Sequence, residues 1–167
     1  LGRVYEDTHR ESADLTVGVA ELSATDWVPF RALMHRAGAF TMLGHVRLTA
    51  IDRERPASFS KAVITGLLRG DWRSDAILIT DDFCMGAVTD SREGIGAASV
   101  ATLNAGADLI LVSYDPDQYY PVMHALLKAD AAGRLRQDVL GDSNRRLSGA
   151  LTARPDGTAA TSPKRPN

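Results

Sequence analysis

The sequence predicts an α/β fold in which parallel strands are covered by crossover helices on their outer side, and three observations predict it. Short runs of almost unbroken apolar residues, such as Ala-Ile-Leu-Ile-Thr at 76–80, read as strands buried on both faces, the pattern of a parallel sheet. Between them lie longer segments with apolar residues at helical spacing and with recognisable start and stop residues. Each strand then runs into polar residues, at the end where parallel α/β proteins build their sites.

Taken in order, residues 26–36 put Phe30, Leu33, Met34 and Ala37 at helical spacing, with Thr25 as N-cap and Gly38 just past the end. Residues 39–43 form a short buried strand that ends at Gly44-His45. Ser60 caps a second helix with Val63, Ile64, Leu67 and Leu68 on one face and Gly70 as its stop. Residues 76–80 are the clearest strand and lead straight into Asp81-Asp82. A third helix spans 95–104, with Val100 and Leu103 inward and Gly106 as its C-terminal signal. Residues 108–113 make a third strand, and Asp115-Pro116 starts a fourth helix carrying Val122, Met123, Leu126 and Leu127. A last helix covers 138–150. Residues 1–150 form the domain, and 151–167, rich in Pro, Thr, Ala and Lys without periodicity, are expected to be disordered. Three strands are too few to close a barrel; residues 2–5 would add a fourth if they follow another strand.

Composition excludes several classes of function. Lys+Arg number 19 against 21 Asp+Glu, a net charge of −2, which leaves no electrostatic footprint for nucleic acid or an anionic membrane. Cys84 is the one cysteine, so a disulfide framework and a CxxC zinc site are out, and no His/Cys/Glu spacing suggests another metal. No apolar run approaches the roughly 18–20 residues that span a bilayer. The chain opens Leu1-Gly2-Arg3-Val4-Tyr5 with neither Met nor a signal-peptide pattern, so the expectation is upstream processing or a longer parent protein.

Four polar clusters could carry chemistry: Glu6-Asp7-Thr8-His9, Gly44-His45-Val46-Arg47, Thr80-Asp81-Asp82-Phe83-Cys84-Met85 and Ser113-Tyr114-Asp115. Asp81 and Asp82 are adjacent, so on extended backbone they point to opposite faces and cannot be a paired-carboxylate site. One can face a pocket while the other bonds to backbone; an acidic turn after a buried strand is the competing reading. Asp7 and His9, two apart, project to the same side of an extended loop, where Asp7 can hold the imidazole N–H and set its tautomer. A solvated loop is the plainer alternative. His45 could bond a substrate hydroxyl or be a satisfied structural histidine, and Arg47 flanks the same strand end. Ser113 has no G-x-S-x-G elbow around it, and Gly94-Ile95-Gly96 is too short a glycine pattern to claim a phosphate.

Three stretches together resemble glycoside hydrolase family 3, in particular its single-domain β-N-acetylhexosaminidases of the bacterial peptidoglycan-recycling type. Residues 1–9, LGRVYEDTH, are similar to the end of that group's K-H-F-P-G-x-G-x(3–4)-D-[ST]-H loop. Met42-Leu43-Gly44-His45-Val46 followed by Arg55-Pro56-Ala57-Ser58-Phe59-Ser60 resembles its "SHV…RPASLS" segment. Residues 77–87, ILITDDFCMGA, resemble its "ITDDLxMxA" strand, and Ala105-Gly106-Ala107-Asp108-Leu109 its "AGADL". Cys84 departs from the small residue usual there.

The resemblance implies a (β/α)8 TIM-type barrel of which this chain holds the C-terminal portion, the barrel being incomplete and the sugar-gripping Lys-His pair lying in the absent half. It implies a retaining exo-β-N-acetylglucosaminidase with Asp81 as nucleophile, His9 as acid/base and Asp7 orienting His9; His45, Arg47 and Met85 are the candidate substrate-binding residues. No cofactor and no metal are expected. The implied substrate is carbohydrate, a GlcNAc-containing muropeptide or chitooligosaccharide; no nucleic acid is expected as a partner. The incomplete barrel should be poorly active by itself and self-associate through its open edges. Members of the group are cytoplasmic or exported, with cytoplasmic the expectation here. Two alternatives are a receiver-like phospho-acceptor module, with Asp81-Asp82 and Asp115 as its acidic residues, and a non-catalytic remnant of the hydrolase. The receiver reading requires a further strand between 76–80 and 108–113, where the sequence offers a single helix.

Overall fold

The computed structural model describes residues 3–36 and 38–152, and the segment expected to be disordered therefore lies, from residue 153 on, outside the described residues. Two parallel sheets organise the chain. The first has the order β2 (Phe40–Leu43), β4 (Ile77–Asp82), β5 (Leu109–Leu111). The second pairs β1 (Ala13–Leu15) with β3 (Val46–Leu48). β4 is the central strand: Phe40 lies opposite Ile77 on one side and Leu109 opposite Ile79 on the other. Ile77 and Leu78, on opposite faces of β4, are both buried, which is why its sequence is apolar without alternation. β4 and β5 are hydrogen-bonded neighbours with only helices between them, so the strand required by the receiver reading is absent.

β1 and β3, three residues each, were not foreseen, being too short for a period-2 pattern to register. Residues 3–5 carry no strand. The first predicted helix forms as α2 (Trp27–Met34), and an unforeseen short helix, α1 (Val19–Ala24), precedes it. Thr25 closes α1 and does not cap α2; its hydroxyl donates to the Glu21 carbonyl at 2.7 Å. Trp27 and Met34 are the buried residues of α2, whereas Phe30 and Leu33 stay exposed.

The second predicted helix forms at Ala62–Asp71, wound wide enough that the Trp72 N–H reaches the Leu67 carbonyl at 2.9 Å. Ser60 accepts from the Val63 N–H at 3.2 Å, and Val63, Ile64, Leu67 and Leu68 are all buried, as expected. Ile64, Leu67 and Leu68 join Leu15, Leu22, Trp27, Leu43 and Leu78 in the main core, where Trp27 and Trp72 meet edge to face at 5.5 Å.

A short helix, α3 (Gly86–Thr89), precedes α4 (Gly94–Ala105). α4 turns small residues inward (Ala98, Ser99, Thr102), with Val100 and Leu103 only half-buried, contrary to expectation. The small face permits close packing: a side chain on Gly96 would lie 3.0 Å from the Ala125 Cβ. Gly106 ends α4 at φ 104°, a conformation that glycine adopts without strain. Asp115 accepts from the Asp117 N–H at 3.0 Å and caps the turn leading into α5 (Tyr119–Ala131), on which Leu127 is exposed. α6 (Gln137–Thr152) runs two residues beyond its predicted end. No helix among the described residues is long and apolar enough to cross a membrane.

Candidate active site

At its carboxyl end β4 contains a bulge: Ile79 faces Leu109 and Asp82 faces Leu111, so β4 spends one residue more than β5 over the same stretch. Thr80 repairs the ladder by accepting the Leu111 N–H on its hydroxyl at 3.0 Å. This irregularity sets the directions of the two aspartates that follow.

Asp82 is saturated. One carboxylate oxygen takes the backbone N–H of Cys84 (3.0 Å) and Ser113 (3.2 Å), the other the Ser113 hydroxyl (2.6 Å) and the Tyr114 N–H (2.8 Å). Burial pushes its pKa up, but the Ser113 hydroxyl and the Cys84 and Ser113 amides outweigh it and hold the carboxyl well below the usual carboxylate range. Asp82 thus ties the end of β4 to the end of β5. Among the described residues the Asp81 carboxylate accepts one hydrogen bond, from the Asp82 N–H at 2.9 Å, and it is half-buried, so most of its acceptor capacity is unspent.

The loop carrying Asp7 and His9 docks against the start of α3. The Gly86 N–H donates to the His9 carbonyl at 2.9 Å and the Ala87 N–H to that of Thr8 at 3.4 Å. A side chain at 86 would put its Cβ 2.4 Å from the Arg10 carbonyl oxygen, so only glycine allows this approach. Within the loop the His9 Nδ1 lies 2.8 Å from an Asp7 carboxylate oxygen, which also takes the His9 backbone N–H at 3.1 Å. The bonds from the His9 ring and then its backbone lower the Asp7 pKa. With Nδ1–H given to the carboxylate, Nε2 is the nitrogen left for proton transfer, on a ring 76% exposed.

These elements enclose one cavity of about 680 Å³ lined by His9, Arg10, Asp81, Asp82, Cys84, Met85, Ser113 and Tyr114. Asp81, His9 and Met85 of the sequence-derived candidates thus share a wall, and Asp7 holds His9 from behind. His45 does not line it. It is 1% exposed, accepts the Ser58 hydroxyl on Nδ1 at 2.7 Å and donates from Nε2 to the Asp82 carbonyl at 3.0 Å. Burial lowers its pKa, and its ring packs edge to face on Phe83 at 5.5 Å. Arg47 is committed to Asp14 across the β1–β3 ladder at 2.5 Å and does not line the cavity either. Arg10 and the Gly86 approach had no sequence signal: both depend on a loop meeting a helix 76 positions along. Among the described residues no group of His, Cys, Asp and Glu is placed to hold a metal.

Residues 1–150 match the model of the "Glycosyl hydrolase family 3 N terminal domain". A β-hexosaminidase of Stenotrophomonas maltophilia is 35% identical over 125 residues, 75% of this chain and 36% of the relative. One from Chromobacterium violaceum is 30% identical over 162 residues, 95% of this chain and 44% of the relative. The structure of a family 3 β-N-acetylglucosaminidase from a Paenibacillus species superposes with a TM-score of 0.82 at 31% identity, covering 96% of this chain and 31% of that one. The chain thus spans less than half the length of these relatives. A match over nearly the whole described chain, joined to a strand-end aspartate and a carboxylate-held histidine in one cavity, places this protein in glycosyl hydrolase family 3.

Proposed function

We propose that this chain carries the catalytic residues of a retaining β-N-acetylglucosaminidase, set on part of a parallel (β/α)8 barrel. The observation that carries the reading is the contrast within one cavity between Asp82, with four donors, and Asp81, with one, where the same cavity is lined by an imidazole oriented by Asp7. Relatives named β-hexosaminidase and β-N-acetylglucosaminidase support the sugar.

In the first step an Asp81 oxygen attacks the anomeric carbon of a terminal β-linked N-acetylglucosamine while the glycosidic bond breaks. The His9 imidazolium gives its Nε2 proton to the departing oxygen. In the second, neutral His9 takes a proton from water as that water displaces Asp81 from the anomeric carbon, and the carboxylate is restored. Asp7 holds the imidazole orientation and balances its charge in both steps. Met85 forms part of the floor beneath the sugar. The substrates of this reading are N-acetylglucosamine-terminated muropeptides or chitooligosaccharides. Further strands would cover the inward residues of β2, where Phe40 and Met42 are 59% and 55% exposed. Without such cover the chain would pair through that edge with a second copy.

The test places residues 3–152 in the matching third of the Paenibacillus enzyme. Nitrophenyl N-acetylglucosaminide should be hydrolysed, Asp81→Asn should remove turnover, and a mechanism-based fluorosugar should label Asp81. A label on Asp82, or an active Asp81→Asn chimera, overturns the assignment. His9→Ala should slow substrates with poor leaving groups far more than activated aryl glycosides, since only the former need the proton. Equal losses would make His9 a sugar ligand instead of the acid.

A further inference from the structure

Tyr114 is a large hydrophobic side chain on the cavity wall, yet it is 89% exposed. An apolar ring left in water at a polar rim is costly to hydrate, and nothing among the described residues packs on it. Its backbone is not loose. The Tyr114 N–H donates to the Asp82 carboxylate at 2.8 Å, and Ser113 bonds the same carboxylate through its hydroxyl and amide. The ring is therefore carried on a rigid point one residue away from Asp81 along β4, though it comes from the end of a different strand.

We propose that Tyr114 is the aromatic platform on which the leaving sugar of the substrate stacks. The proposal rests on the hydrolase reading above. A pyranose in its chair form presents axial C–H bonds on one face, and the face of a tyrosine ring complements them. The location favours the leaving sugar over the one that is attacked. The proton donor must stand beside the departing oxygen, and His9, like Tyr114, sits at the solvent end of the cavity, whereas Met85 lies buried at its floor. A ring at the solvent end meets the part of the substrate that departs into solvent. Asp82 acquires a second task in this arrangement: it holds the platform in register with the attacking carboxylate.

The test measures binding of N-acetylglucosamine and of chitobiose to the full 167-residue chain by saturation-transfer NMR. In Tyr114→Ala chitobiose should bind about three to tenfold more weakly, the range for loss of one aromatic contact, with N-acetylglucosamine binding unchanged. Tyr114→Phe should retain the wild-type preference, because the face and not the hydroxyl makes the contact. Unchanged chitobiose binding in Tyr114→Ala, or an equal loss for both sugars, overturns the platform while leaving the hydrolase reading in place. Failure of the wild-type chain to bind chitobiose overturns the platform, whereas the hydrolase reading stands or falls with turnover by the chimera.

Discussion

The amino end of the sheet holds one saturated carboxylate, whereas the carboxyl end holds a saturated one beside an unsaturated one. At the amino end, Asp108 is fully enclosed and saturated: one oxygen takes the Arg146 Nε and a terminal nitrogen at 2.9 and 2.8 Å, the other Arg69 at 2.7 Å and the Leu78 N–H at 2.8 Å. Arg69 also donates to the carbonyls of Ser74, Ala76 and Gly106, so one ion cluster ties the wide helix, β4, β5 and α6 together. Its Nε is the atom left buried without a partner among the described residues. At the carboxyl end, Asp82 is saturated in the same manner, yet its neighbour Asp81 is not. Saturation makes a carboxylate a structural clamp. Unspent acceptor capacity beside a cavity is what a nucleophile requires.

The comparison breaks most visibly at Asp108. Asp108→Ala would strand two largely buried guanidinium groups and should cost about 3–5 kcal/mol. Asp81→Asn, which loses no saturated cluster, should stay within about 0.5 kcal/mol of wild type. Urea titration of the two variants checks the pair, and similar losses would erase the distinction drawn here.

A smaller effect is expected at Gly86. Gly86→Ala forces the loop holding His9 off α3, because its Cβ meets the Arg10 carbonyl at 2.4 Å. If His9 is the proton donor proposed above, a displacement of about 1 Å should lower turnover of poor-leaving-group substrates about a hundredfold in the chimera, with little change in urea midpoint. A large loss of stability with intact relative rates would show that the contact supports the fold and not the dyad.

The mildest effect separates the two kinds of group by pH. Burial depresses the His45 pKa below its ordinary 6.5, so as pH falls the unfolded chain takes up the proton first. Stability is full above about pH 6.5 and should decline below it, by at most about 1.4 kcal/mol per unit for this one group. Asp82 is shifted the same way, but its loss begins only below its ordinary 3.8. Stability curves of wild type and His45→Asn between pH 7 and 4 should differ in slope. Parallel curves would mean that His45 is not held neutral beneath the strand ends.

For the chain by itself, the exposed Phe40 and Met42 on β2 predict concentration-dependent self-association in size-exclusion chromatography, weakened by Met42→Lys. A monomer at every concentration would show that this edge is tolerated in water.

Much of this was legible in the chain alone. The unbroken apolar runs of β4 and β5, the inward face of the wide helix and the Gly106 and Asp115 caps are local patterns, and local backbone and burial preferences act at the spacing where a sequence displays them. The adjacency of Asp81 and Asp82 already required that they differ in direction, and the two-residue step from Asp7 to His9 already allowed their bond. Tertiary structure decided which aspartate is saturated, since three of the four donors to Asp82 come from residues 113 and 114, just past the end of β5. It also took His45 out of the cavity and Arg47 into a strand-pairing contact, because burial and partner choice depend on groups far off in sequence. β1 and β3 escaped notice for the same reason: three residues have too little pattern of their own, and each is a strand only because the other lies beside it.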